Sequence, residues 1–232
     1  RWSYADLQAR ANRIARVLVE DLGVVPGNRV LLRGANTPAL AACWFAVMKA
    51  GAIAVATMPL LRAKELSQVI DKAQVTHALC DAALVEELSA AQAQCPVLTR
   101  VCRFHDDAPD GLEALAERQS PRFENVDTAS DDCALIAFTS GTTGPAKGAI
   151  LSQAHCIARS GSYVAGLKIG ADDVMFTCLP LFHNNAQMAS VLVAVLARAR
   201  AAVYGKFSVS RFWDNIRESG ATRFTLIGRM AN

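Results

Sequence analysis

Phe138-Thr-Ser-Gly-Thr-Thr-Gly-Pro-Ala-Lys-Gly148 is the stretch on which the reading of this chain turns. It sets four hydroxyl side chains, three glycines and one lysine within eleven residues, directly after the apolar run 133–138. Glycine tolerates positive φ and lets another backbone or a ligand come close. Consecutive inward-facing N–H groups make an anion-binding concavity. The hydroxyls of Thr139, Ser140, Thr142 and Thr143 add donors, Gly141 and Gly144 add backbone freedom, and Lys147 adds a point charge suited to phosphate. This is the composition of a polyphosphate cradle. A Gly/Ser/Thr-rich hairpin also reads as a plain surface turn, but the lysine and the flanking apolar segments favour phosphate.

The cradle is not of the Walker type, which needs Gly-x-x-x-x-Gly-Lys-Ser/Thr opening a helix. Here Ala146 precedes Lys147, Gly148 follows it, and 149–151 reads as a short strand, with helical character beginning only near Ser152. A GTPase or an ordinary P-loop ATPase is disfavoured on those grounds.

Outward from this loop, short apolar segments alternate with longer amphipathic ones. Ser3 is a candidate N-cap for a helix running to about residue 20, and Pro38 opens a helix that Gly51 closes. Strands are expected at 29–32, 53–57, 76–80, 97–102, 133–138, 149–151, 173–179, 201–204 and 222–227. Helices are expected at 62–72, 82–93, 111–118, 153–165, 185–198 and 209–219. Strands of four to six residues between helices of ten or more predict an α/β fold with largely parallel β-sheets flanked by helices. The polar stretch 120–132, which holds Pro121, is the best candidate for a lobe boundary.

At 232 residues, 52% hydrophobic and 19% charged, the chain has ample material for a core. A net charge of +3 with no Lys/Arg run argues against nucleic acid. The longest apolar runs, near 39–48 and 188–197, span about half of the roughly twenty residues a membrane crossing needs, so no membrane span is expected. Seven cysteines, an odd number with no C-x-x-C pair, read as buried free thiols of a cytoplasmic protein rather than disulfides or a zinc site.

A second segment carries chemistry. The strand at 173–179 runs into Pro180-Leu-Phe-His-Asn-Asn-Ala-Gln187 and then an apolar helix. Ligands of open α/β sheets sit beyond the carboxyl ends of strands. The phosphate loop and this segment both leave such ends, so both are expected to open on one cleft. Phe182, His183 and Asn184 would lie at its edge as a pocket for a small organic acid. The competing reading makes Asn184 an ordinary helix cap. His77 reads as core, and His105 with Asp106, Asp107 and Asp110 reads as a solvated loop without metal-ligand spacing. His155 is given no role.

Thr139-Ser-Gly-Thr-Thr-Gly-Pro-Ala-Lys-Gly148 closely resembles the signature loop of the adenylate-forming, AMP-binding superfamily: acyl-CoA synthetases, peptide-synthetase adenylation domains and luciferases. One departure is Ala146, where that loop usually has proline before its lysine. The resemblance spans essentially the whole chain and implies an incomplete N-terminal AMP-binding domain over 1–232, about the first half of a family member. The downstream Tyr-Gly-x-Thr-Glu and Thr-Gly-Asp motifs and the C-terminal catalytic domain are not in it, so the chain by itself is expected to be inactive. For the full-length protein the resemblance implies an acid:CoA ligase that uses ATP, Mg²⁺ and coenzyme A on a carboxylic acid. It admits a homodimer. Lys147 would be catalytic, and Thr139, Ser140, Gly141, Thr142, Thr143, Gly144 and Lys147 would bind nucleotide, with the metal ligands unassigned. Residues 179–187 are most similar to synthetases of short or polar acids, crotonobetaine and carnitine CoA ligases among them. Residues 30–88, with Ala56-Thr-Met-Pro-Leu-Leu-Arg62, are similar to benzoate-type CoA ligases, so the expected substrate is a carboxylic acid of open identity. Transfer to a carrier-protein thiol, or a non-catalytic nucleotide- or anion-binding module, are the alternatives.

Overall fold

The computed structural model describes residues 1–139 and 146–231. Its packing divides the chain into two compact units: Arg1–Gly34 with Ala39–Gln153, and Ala35–Pro38 with the residues from Ala154 onward.

The first unit opens with α1 (Tyr4–Arg16). Ser3 Oγ accepts the Asp6 N–H at 3.1 Å while the Asp6 carboxylate accepts the Ser3 N–H at 2.8 Å, a reciprocal capping box. The helix runs on as a π-helical turn, Val17–Asp21. There follow β1 (Arg29–Arg33), α2 (Pro38–Lys49), β2 (Ile53–Thr57), α3 (Ala63–Ala73), β3 (Val75–Asp81), α4 (Val85–Gln92), β4 (Arg100–Phe104), α5 (Leu112–Glu117), β5 (Cys133–Thr139) and β6 (Lys147–Ser152). They build a six-stranded sheet of order β4-β3-β1-β2-β5-β6, parallel except for the antiparallel β5–β6 hairpin. The chain winds one way from β1 to β2, then returns past β1 to β3 and β4. Strands covered on both faces read as continuous apolar runs, and Val30, Leu31 and Leu32 are at most 1% exposed. On one face α3 sets Leu66, Val69, Ile70 and Ala73, spaced i, i+3, i+4, i+7, into a cluster with Leu31, Val55, Val75 and Ala78. Each fully buried Leu or Ile contributes about 1.5–3 kcal/mol.

Residues 120–132 lie in this unit. Val126 N–H donates to Lys49 O at 2.9 Å, and Lys49 Nζ to Asn125 Oδ1 at 2.7 Å. Gly51, at φ 67°, closes α2, and a Cβ there would sit 2.7 Å from Val126 Cγ1. The positive φ and the close approach both select glycine.

The second unit holds α6 (Gln153–Gly166), β7 (Val174–Thr177), α7 (Asn184–Ala186), a π-helical stretch Gln187–Leu192, α8 (Val193–Ala197), β8 (Arg200–Val203), α9 (Phe212–Ser219), β9 (Arg223–Phe224) and α10 (Gly228–Ala231). Its sheet is parallel, in the order β8-β7-β9. Alternation along β7 splits the core. Met175 packs with Val193, Ala194 and Ala199, while Phe176 and Cys178 pack with Phe212.

Some expectations shift, and the strand placed at 173–179 narrows to Val174–Thr177 while the helix placed at 185–198 is interrupted by the π-helical stretch. The strand placed at 97–102 begins at Arg100, because proline cannot donate to a ladder and the segment at Pro96 turns instead, with Leu98 N–H donating to Cys95 O at 3.0 Å. The strand placed at 222–227 shrinks to Arg223–Phe224. His105 is not simply solvated: its Nδ1 lies 2.9 Å from Asp81 Oδ2, its N–H donates to Glu113 at 2.8 Å, and its φ is 54°. Beside it, Asp106 and Asp110 pair with Arg103. The cysteines are all free, and every one but Cys133 is buried. Burial pushes the Cys80 and Cys102 thiols up to about 12 and Cys95 up to about 11.

Candidate functional site

The signature stretch is mounted on a hairpin. β5 runs parallel to β2, with Ala54 opposite Leu135, so it ends at the same carboxyl edge as β1–β4. β6 returns antiparallel, and the last registered pair is Thr139 with Lys147. The two described ends of the candidate nucleotide loop are thereby held opposite each other. Ser140, Gly141, Thr142, Thr143 and Gly144 lie outside the described residues. Lys147, the first residue of β6, is exposed. Gly148 pairs with Phe138, and a Cβ on it would come 2.9 Å from Ile136 Cγ2 and 3.3 Å from Phe138 Cζ. The last glycine of the stretch thus serves packing across the hairpin.

Elsewhere along that carboxyl edge the sheet is filled from within. In doubly wound sheets the ligand crevice lies where the winding reverses, here beyond β1 and β3. Arg33, at the end of β1, is 1% exposed. Its guanidinium donates to Leu84 O at 3.3 Å, Met58 O at 3.0 Å, Pro59 O at 3.0 Å and Leu61 O at 2.9 Å. Desolvation lowers its pKa, yet an arginine stays charged. A cavity of about 230 Å³ beside Arg33, Arg62 and Glu87, and another of about 330 Å³ lined by Gln8, Asn12 and Arg122, contain none of the candidate residues.

The other candidates belong to the second unit. After β7, Thr177 Oγ1 accepts the Leu179 N–H at 3.2 Å, and Pro180 O accepts the His183 N–H at 3.0 Å. This turn stacks the Phe182 and His183 rings, with centroids 4.5 Å apart and planes 36° apart. His183, not Asn184, is the N-cap of α7, and its side chain makes no capping hydrogen bond. Asn184 is the first helical residue. Desolvation lowers the His183 pKa below 6.5, so the imidazole is neutral at pH 7. Just beyond, Gln187 is buried, and Asn185 Oδ1 and Ser190 Oγ are buried without a hydrogen-bond partner among the described residues.

Two polar residues that the sequence does not announce, one in each unit, hold backbone at strand ends. Arg33 lies in a run that reads as plain strand. Asn36 donates from Nδ2 to Leu179 O at 2.8 Å and Tyr204 O at 3.0 Å, and its Oδ1 accepts the Leu181 N–H at 2.7 Å. Its partners lie 143 or more positions away in the chain, so no local pattern announces them. His77 is core as expected, 6% exposed, between Thr76 Oγ1 and Leu22 O.

Set against known families, residues 1–232 match, throughout, the family profile described as AMP-binding enzyme. The chain belongs to the AMP-binding enzyme family. Among curated AMP-binding relatives, it is 29% identical over 237 residues to long-chain fatty acid transport protein 6 of Mus musculus, covering 99% of this chain and 38% of that protein. It is 31% identical over 230 residues to crotonobetaine/carnitine–CoA ligase of Salmonella paratyphi B, covering 95% and 44%. The chain thus spans less than half the length of these relatives. The crystal structure of ATP-bound MatB from Rhodopseudomonas palustris superposes with a TM-score of 0.86 at 29% identity, over 94% of this chain and 42% of that one. The mainly parallel, helix-flanked sheet is therefore that of an AMP-binding N-terminal domain. No helix among the described residues is long and apolar enough to cross a membrane.

Proposed function

We propose that the full-length protein is an AMP-forming acid:CoA ligase. In the first half-reaction a carboxylate oxygen attacks the α-phosphorus of ATP. The bond to the departing pyrophosphate breaks and an acyl-adenylate forms. In the second, the thiol of coenzyme A adds to the acyl carbon and AMP leaves. The observation that carries this reading is the glycine-, hydroxyl- and lysine-rich loop held on the β5–β6 hairpin of a chain that is AMP-binding enzyme from end to end.

In this reading the hairpin anchors Thr139 and Lys147 at the two ends of the loop. Lys147, with the donors of Thr139, Ser140, Gly141, Thr142, Thr143 and Gly144, binds the phosphate tail and stabilises charge on the leaving pyrophosphate. Among the described residues no cluster of three or more His, Cys, Asp or Glu side chains is suited to hold a metal. Mg²⁺ would share phosphate charge in such chemistry, with its ligands unassigned. Phe182, neutral His183 and Asn184 form part of the acid pocket. The mouse relative's name speaks of long-chain fatty acids and the Salmonella relative's of crotonobetaine and carnitine. The polar run Asn184, Asn185 and buried Gln187 favours a short or polar acid over a long hydrocarbon chain.

The test is a screen of carboxylic acids with the full-length protein, reading pyrophosphate release with ATP and then CoA-ester formation. Acid-dependent release, strongest for short polar acids, is the expected result. ATP binding without release for any acid would sink the ligase reading.

A further inference from the structure

We infer that Asn36 is a positioning residue for the acid-binding segment. This rests on the proposal that Phe182 and His183 line the acid pocket. β7 and β8 are parallel neighbours, and Leu179 and Tyr204 lie just beyond their carboxyl ends. Asn36 ties both carbonyls to one amide nitrogen, at 2.8 and 3.0 Å, and uses its amide oxygen to hold the Leu181 N–H at 2.7 Å. The amide orientation is fixed by its partners, because the reverse flip would face an oxygen against two carbonyls. Three of the four hydrogen bonds the side chain can make are thus spent here, two on Leu179 and Leu181, which flank Pro180 and lead into Phe182, and one on Tyr204 beyond β8.

The choice of side chain follows from this geometry. Two carbonyls and one N–H must be met from a single point, which calls for a double donor and an acceptor on a short stem. Aspartate supplies the acceptor but no donors, serine one donor at most, and leucine neither, while glutamine places the same amide one methylene too far out. Aromatic and imidazole rings such as Phe182 and His183 recognise a ligand only when held within a fraction of an ångström, and in such sites supporting residues hold the contacting ones. The turn itself supplies only the Pro180–His183 and Thr177–Leu179 bonds. Asn36 ties it to a second strand.

The experiment uses the full-length protein with Asn36→Ala and Asn36→Asp, and reads two quantities. Hydrogen exchange reads the clamp: peptides covering 179–187 are expected to exchange faster in both variants while those covering β1–β4 keep their protection. Unchanged exchange at 179–187, or acceleration throughout the protein, overturns the inference. Steady-state kinetics read the consequence: KM for the acid is expected to rise about tenfold, the scale of one to two lost hydrogen bonds, with KM for ATP within about twofold. A merely structural role would lower activity without that split, so equal rises in both KM values also overturn it. If the wild-type protein turns over no acid at all, the ligase reading has failed, and the exchange result alone decides whether Asn36 holds the segment. Should Asn36→Ala fail to fold, Asn36→Asp, which keeps the acceptor for Leu181, carries the test.

Discussion

The two sheets of this protein hold their strands by different means. In the six-stranded sheet, β1 and β3 are buried almost end to end, and an apolar cluster from α3 and α4 covers one face. In the three-stranded sheet only β7 is buried throughout, while β8 and β9 are largely exposed. There the ends are held by polar side chains. Asn36 ties the ends of β7 and β8, and Thr222 Oγ1 both donates to Asp173 at 2.7 Å and accepts the Val174 N–H at 2.9 Å. Buried aliphatic side chains are worth about 1.5–3 kcal/mol each, whereas a hydrogen bond nets about 0.5–1.5 kcal/mol. Burial makes a scaffold that tolerates no adjustment. Polar clamps fix direction at lower energy, which suits a segment that must present particular rings to a small acid.

The first unit has polar ties at its strand ends too, His105 with Asp81 among them, and breaking the buried Arg33 tests the contrast hardest. It is a polar clamp inside the buried scaffold, so its four carbonyl partners have no water to turn to when it goes. Arg33→Ala is expected to cost on the order of 3–5 kcal/mol, a large share of a domain's stability. The measurement is the urea midpoint at constant m-value. Arg33→Lys should recover little, since a single ammonium cannot reproduce the planar fork. A loss below about 1 kcal/mol would mean that burial alone holds β1, β2 and β3 at that edge, and the distinction between the sheets would sharpen.

The next effect is functional. Lys147→Ala in the full-length enzyme removes one charge-assisted contact, worth about 1.5–3 kcal/mol. The expected fall in kcat/KM for ATP is then roughly 10–150-fold. Stability should hardly move, because Lys147 is exposed at the end of an edge strand. An unchanged kcat/KM would remove Lys147 from the phosphates. A large drop in stability would put the hairpin on the scaffold side of the comparison.

Much of this contrast was legible in the residues. Ser3, Pro38 and Gly51 mark helix ends by capping chemistry that is local, and Ile53–Thr57 emerged with the expected bounds because apolar runs between turn signals are local too. The signature stretch was legible as composition, and its mounting on a hairpin followed from the strand at 149–151. What stayed hidden is non-local. Arg33 looks like a stray charge at a strand end until the loops after β2 and β3 close over it. Asn36 looks like a turn residue until residues 179–181 and 204 arrive. The apolar pair Val97 and Leu98 mimics a strand start, and only the turn at Pro96 shows otherwise. Asn184 reads as a cap because asparagine caps well, yet the chain turns one residue earlier and gives that place to His183.

His77 provides the smallest test, and it asks whether the first unit's burial is as complete as the contrast requires. The side chain is enclosed on β3, with Nδ1 2.8 Å from Thr76 Oγ1 and Nε2 3.1 Å from Leu22 O. Burial lowers its pKa below 6.5, partly offset by the Leu22 carbonyl and reinforced by Arg100. Below pH 6.5 the unfolded chain therefore binds a proton at this position that the folded chain resists. With more protons bound in the unfolded state, stability rises with pH. The contribution is complete above 6.5 and is lost as pH falls from 6.5 through the lowered folded value. A single proton is involved, so the slope is modest and other groups add their own. Comparing the urea midpoint between pH 7.5 and 5 for the wild-type chain and His77→Gln isolates it. The variant should show a shallower decline on acidification. Equal slopes would mean that solvent reaches His77, and the first unit would then share the openness of the second.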